Sequence, residues 1–164
     1  MSYAIEEPTK TPQNLKDLLT LADFLDKIYE YEQKKHIRKF DILVYAKVID
    51  PTKRISRCNT VACAAGWAGM IPEFRRRGLK TNPSENHITL EGSEKIYALA
   101  VEKFLGLTCN EALSLFYPDS YTEEDFPDSY TEEDFPDVTA QMAANKIRKL
   151  VEEYNPDGTF KENK

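Results

Sequence analysis

Apolar residues recur at intervals of three and four from Leu15 through Leu18, Leu19, Ala22, Leu25 and Ile28, which sets one continuous stripe along a helix. Thr11 can cap that helix and Pro12 suits its first position, so the pattern predicts a core-facing amphipathic helix from residue 12 to about Lys35. Phe40, Ile42, Val44, Ala46 and Val48 then alternate with their neighbours, which predicts an extended segment before Asp50-Pro51. The run from Val61 to Met70 is apolar all round and rich in Ala and Gly. It reads as a buried central helix, capped by Asn59 or Thr60 and ending before Pro72. Gly66 and Gly69 each cost such a helix about 1 kcal/mol relative to alanine, a cost explained if another backbone or a ligand comes close.

Gly92-Ser93 opens the next predicted helix, with Ile96, Tyr97, Ala100, Val101, Phe104 and Leu105 on one face and Gly106-Leu107 as a glycine C-cap. Thr108-Cys109-Asn110-Glu111 has capping-box spacing, so a short second helix through Phe116 completes a helical corner. Asp137 is placed to cap a last helix that carries Val138, Met142, Ile147, Leu150, Val151 and Tyr154 and stops at Asn155-Pro156-Asp157-Gly158. The expected fold is mainly α: a single-domain helical bundle with a buried Ala/Gly-rich central helix and a small two-stranded β element involving the Phe40–Val48 and His87–Leu90 segments. Residues 1–10 read as a flexible N-terminus, 11–155 as the domain, and 156–164 as a flexible tail.

Charge adds an appendage to this picture. Of 28 acids, nine fall between Pro118 and Asp137, a stretch that holds none of the 22 bases. PDSYTEEDF at 118–126 recurs unchanged at 127–135. Two copies of nine residues are too short for a solenoid and read as an acidic tandem-repeat loop at 118–137 inserted in the helical domain. With 41% hydrophobic residues in 164, the chain can bury one core without disulfides. Three cysteines, an odd number, fit a reducing compartment, and neither a signal peptide nor a membrane span is legible, so the expected location is cytoplasmic with no membrane partner.

The segment Cys58-Asn59-Thr60-Val61-Ala62-Cys63-Ala64-Ala65-Gly66-Trp67-Ala68, with the corner Phe104-Leu105-Gly106-Leu107-Thr108 and Glu111-Ala112 through Leu115-Phe116, resembles a family of small uncharacterised proteins from bacteriophages and bacteria. In that family a Cys-Gly-Thr-x-x-Cys-x-x-Gly segment follows an N-terminal helix, and here Asn59 stands where glycine is usual. The resemblance implies a phage or prophage setting and carries no activity with it.

Candidate chemistry centres on two clusters. Arg75, Arg76 and Arg77 fall within one turn, and guanidinium groups grip phosphate through paired hydrogen bonds. With Trp67 or Phe74 stacking a base and Asn59 or Thr60 offering amides at a helix N-terminus, the cluster would suit a nucleotide-like ligand. The second cluster is Cys58, a thiol near a helix start that would serve as nucleophile with His36 or His87 as base, or would join Cys63 in a weak metal site. Only one cysteine pair is close, which argues against zinc, and no cofactor is expected. The second helix of the corner has no Lys or Arg, which argues against duplex DNA. The leading expectation is a non-enzymatic phage-type binding protein that counteracts host defence by sequestering a nucleotide-like signal or by blocking a host protein, with homo-oligomerisation left open. The alternatives are a cysteine-dependent enzyme built on Cys58 and a DNA-binding or accessory phage protein.

Overall fold

Thr11 and Asn14 open the first helix reciprocally: the Asn14 N–H donates to Thr11 Oγ1 and the Thr11 N–H donates to Asn14 Oδ1, both at 3.0 Å. The structure, a computed structural model, describes residues 10–35, 39–41, 47–48, 52, 60–117, 121 and 138–161. Helix α1 spans Pro12–Lys35 and buries Leu15, Leu18, Leu21, Ala22, Leu25 and Ile28. Leu19, expected on that stripe, is 40% exposed, and Leu21 takes the inward position. Across this stripe packs the last helix, α6 (Ala140–Glu152), with Ala140, Met142, Ala143, Ala144 and Ile147 buried. Arg148 on α6 reaches Asp23 and Asp26 on α1 at 2.9 and 2.6 Å. Helix α6 is capped by Thr139, whose hydroxyl accepts from the Met142 N–H; the expected cap, Asp137, lies outside the described residues.

The apolar run at 61–70 folds differently from its reading as one helix. Thr60–Val61 form strand β2, paired antiparallel with strand β1 (Lys47–Val48), and only Ala64–Ala68 are helical, as α2. The N-cap position is Cys63, which makes no side-chain cap, so neither Asn59 nor Thr60 starts this helix. An all-apolar run has no period to separate a buried strand from a buried helix. Chain reversal brings Pro72 to the first position of a further short helix, α3 (Pro72–Arg76).

Strands β3 (Leu79–Asn82) and β4 (His87–Leu90) form an antiparallel hairpin across the turn at 83–86. Lys47–Val48, at the end of the Phe40–Val48 segment, and His87–Leu90 thus belong to two separate two-stranded sheets and pair with nearer partners. Phe40 bridges Ala62, while residues 42–46 lie outside the described residues.

The helical corner comprises α4 (Ala98–Leu105) and α5 (Cys109–Phe116). Gly106 ends α4 with φ +69°, the left-handed geometry glycine accepts freely, and Thr108 and Glu111 complete the capping box of α5. Helix α4 begins later than Gly92-Ser93 implies, because Ile96 bridges Thr89 on β4 and the Tyr97 N–H donates to Ile88 O at 2.9 Å. These contacts hold Tyr97 at φ +56° and ψ −136°, a conformation that costs a residue with a side chain about 1–3 kcal/mol.

Lys10 and residues 156–161, which fall in the segments expected to be flexible, are tied down, and the rest of those segments, 1–9 and 162–164, lies outside the described residues. Lys10 is buried, its N–H donates to Gly158 O at 2.8 Å, and Phe160 bridges Tyr154. Mainly α architecture therefore holds, with six helices among the described residues and hairpin β3–β4 laid against α2, α3 and α4. None of these helices is long and apolar enough to cross a membrane.

Candidate functional site

The hairpin has two chemically different faces because side chains alternate along a strand and cross-strand partners share a face. Leu79, Thr81 and Ile88 turn inward and are buried. On the opposite face lie Lys80 beside its partner Thr89 and Asn82 beside its partner His87. These four polar residues line one side of an open pocket of about 490 Å³, within the size range of small-molecule sites. Glu85, in the hairpin turn, contributes at one end, and Met70 and Arg75 wall the side along β3.

Arg75 is built into that wall. Its Nη1 donates to Gly69 O at 3.0 Å and to Thr81 O at 3.2 Å, bridging the end of α2 to β3. Gly69 permits the junction: a Cβ there would stand 2.0 Å from Thr81 Oγ1 and 2.6 Å from the Thr81 nitrogen. The Thr81 N–H donates to Gly69 O and its hydroxyl to Gly66 O. The close backbone approach implied by Gly66 and Gly69 is thus strand β3. Nε and Nη2 of Arg75 carry no bond to a described residue, so part of its donor set remains for a ligand. Asn82 Oδ1 accepts from both the Ser84 N–H and the Ser84 hydroxyl, which leaves the Asn82 NH₂ group as the donor available to the pocket. His87 is held by an edge-on ring contact with Tyr97, centroids 5.2 Å apart.

The three adjacent arginines do not act together. Arg77 turns toward α1, where Nη2 lies 2.6 Å from Asp17 Oδ2 and the guanidinium covers the Phe104 ring at 4.6 Å. Arg76 is exposed and, unlike Arg75 and Arg77, has neither a side-chain hydrogen bond nor an ion pair among the described residues. Burial is the largest influence on the Asp17 carboxyl and leaves its pKa raised, against hydrogen bonding from Gln13 and the charge of Arg77.

Trp67 and Phe74, the expected stacking platforms, are both 0% exposed. Trp67 donates its indole N–H to Lys39 O at 2.8 Å and packs on Phe24; Phe74 packs on Phe104 with centroids 4.9 Å apart. Their faces are taken up by the core, which corrects the stacking role given to either. Thr60 is likewise buried, in a strand, with no helix N-terminus beside it. Asn59 and Cys58 lie outside the described residues. Cys63 is buried and its thiol pKa is pushed up to about 11 by that burial, which removes nucleophilic character. Cys109 is exposed at the start of α5, and no group of three or more His, Cys, Asp or Glu able to hold a metal occurs among the described residues. Of the described residues singled out in the sequence for a ligand site, Arg75 alone lines the pocket; Lys80, Asn82, His87 and Thr89 join it through strand register and Glu85 from the turn.

Compared with protein-family models, with curated proteins and with solved structures, the chain matches none.

Proposed function

We propose that this protein is a small non-enzymatic binding protein that holds an anionic, nucleotide-like small molecule on the outer face of hairpin β3–β4, and that in a phage setting it acts by sequestering a signal of host defence. The observation that supports the ligand reading is the pocket of about 490 Å³ that gathers Arg75, Lys80 and the Asn82 amide on one polar face. Arg75 supplies preoriented guanidinium donors, because its bonds to Gly69 O and Thr81 O fix the group before a ligand arrives. Lys80 supplies a second charge and Asn82 and Thr89 neutral hydrogen bonds. The phage setting comes from the resemblance of the Cys58–Ala68 segment and the Leu-Gly-Leu corner to a phage and bacterial family.

The test is a titration of the ¹⁵N-labelled full chain with mononucleotides and cyclic nucleotides, following backbone amides. The expected result is that perturbed amides cluster at 75–89 and that Lys80→Glu weakens binding about tenfold, the size of one lost charge-assisted hydrogen bond. Binding mapped elsewhere, or unchanged in Lys80→Glu, overturns the reading.

A further inference from the structure

The pocket carries both signs of charge. Lys80 and Arg75 lie along β3 and its flank, while Glu85 sits in the turn beyond Asn82. Lys80 and Glu85 line the same pocket yet form no salt bridge with each other, and neither has an ion-pair partner among the described residues. Between them, Asn82 spends its acceptor on Ser84 and presents donors. Along β3 into its turn the order is therefore the cations Lys80 and Arg75, the latter bonded at Thr81 O, then the neutral donor Asn82 and the carboxylate Glu85, with Thr89 and His87 across the hairpin. A carboxylate accepts hydrogen bonds and repels anions, so a ligand anionic along its whole length would meet Glu85 at a cost, whereas an ammonium or amino group would find in it a complementary partner.

We infer that the pocket takes an amphoteric ligand, with its phosphate or carboxylate at Arg75 and Lys80 and an amino-type donor at Glu85; this rests on the reading of the hairpin face as an anion-binding site. Polarity sets the ligand's orientation, its anionic end toward α3 and its donor end toward the turn. Glu85 becomes the specificity-determining residue: it contributes little to holding the anion and discriminates by what lies at the other end of the molecule.

The experiment compares O-phosphoethanolamine with ethyl phosphate, which has the same phosphate and no ammonium, by amide titration of the full chain in the parent and in Glu85→Gln. Phosphoethanolamine is expected to bind about two- to five-fold more tightly than ethyl phosphate, the range of an exposed charge pair, with both probes perturbing amides at 75–89. In Glu85→Gln the preference disappears while ethyl phosphate binds at least as well as before. Equal affinities in the parent, or a preference that survives Glu85→Gln, overturn the amphoteric assignment and leave the anion site standing. No perturbation at 75–89 by either probe overturns the anion site and this inference with it.

Discussion

Lys10 and Glu111 meet at 2.6 Å, with side chains 1% and 12% exposed, joining the start of the described chain to the capping box of α5. Lys10 Nζ also donates to Gly106 O at 2.8 Å, and the Tyr154 hydroxyl donates to Glu111 Oε2 at 2.5 Å. One carboxylate thus gathers the two ends of the described chain and the helical corner. Lys10→Met leaves Glu111 with one charge partner fewer and is expected to cost about 3 kcal/mol in urea unfolding, while adding Glu111→Gln should recover part of the loss. Burial raises the Glu111 pKa, but hydrogen bonds from Lys10, the Thr108 N–H and Tyr154 outweigh it and hold the carboxyl below its ordinary range. A carboxylate with a depressed folded pKa adds stability that is full above its unfolded value and is lost as pH falls through the folded one. Stability measured from pH 5 downward should therefore fall less steeply in Glu111→Gln than in the parent.

Asp17 carries the opposite sign. Its pKa is raised in the fold, so the folded state takes up its proton more readily than the unfolded chain, and this group's contribution becomes more favourable as pH falls through the folded value. At pH 7 the carboxylate depends on Arg77 and Gln13. Arg77→Ala should cost about 1.5–3 kcal/mol at pH 7, and the deficit should shrink in acid as Asp17 becomes neutral. Asp17→Asn should cost less, because Arg77 is one-third exposed and can be hydrated where the carboxylate cannot. Chemical denaturation of both variants at pH 7 and pH 4 checks the order and the direction.

Gly69 tests the junction between α2 and β3. A methyl group would collide with the Thr81 backbone nitrogen as well as its side chain, and backbone cannot rotate away. Gly69→Ala is expected to destabilise by about 1–3 kcal/mol or more, read as a lower melting temperature by circular dichroism, although alanine is the better helix former.

Trp67 is the chain's single tryptophan and is sealed in the core. Its emission should be blue-shifted and poorly quenched by iodide, and a nucleotide added at saturating concentration should leave the quenching unchanged. Trp67→Phe removes the hydrogen bond to Lys39 O and should cost about 1–3 kcal/mol.

Much of the helical framework is legible in the sequence because its signals are long or chemically specific. Helix α1 declares itself through a periodic stripe with a cap, α5 through Thr108 and Glu111, and the end of α4 through Gly106. Val61–Met70 misleads because uniform apolarity reports burial without period. Of hairpin β3–β4 the sequence shows the His87–Leu90 strand but not its partner Leu79–Asn82 across Pro83-Ser84-Glu85-Asn86, whose four residues, Leu-Lys-Thr-Asn, are too short and too polar to stand out from an exposed loop. The pocket was hidden for a related reason: Lys80, Asn82, His87 and Thr89 look like ordinary solvent-facing positions until register sets them side by side. Conversely, Arg75, Arg76 and Arg77 look like one patch in sequence, yet Arg75 and Arg77 turn to Gly69 and Asp17 on different sides.

The hydrogen bond from the Lys10 N–H to Gly158 O, with Gly158 at φ +95° and no room for a Cβ against the Lys10 carbonyl, makes a nearly closed ring of the described chain. The order in which the helices are threaded is then separable from the way they pack. A circular permutant that joins residue 161 to residue 10 through a short linker and opens within the second copy of the acidic duplication, beyond the buried Tyr121 that donates to Leu115 O, should fold to the same arrangement of α1 against α6. In such a chain the duplicated segment would supply both new ends, so a fused reporter could be carried there while hairpin β3–β4 keeps its covalent continuity.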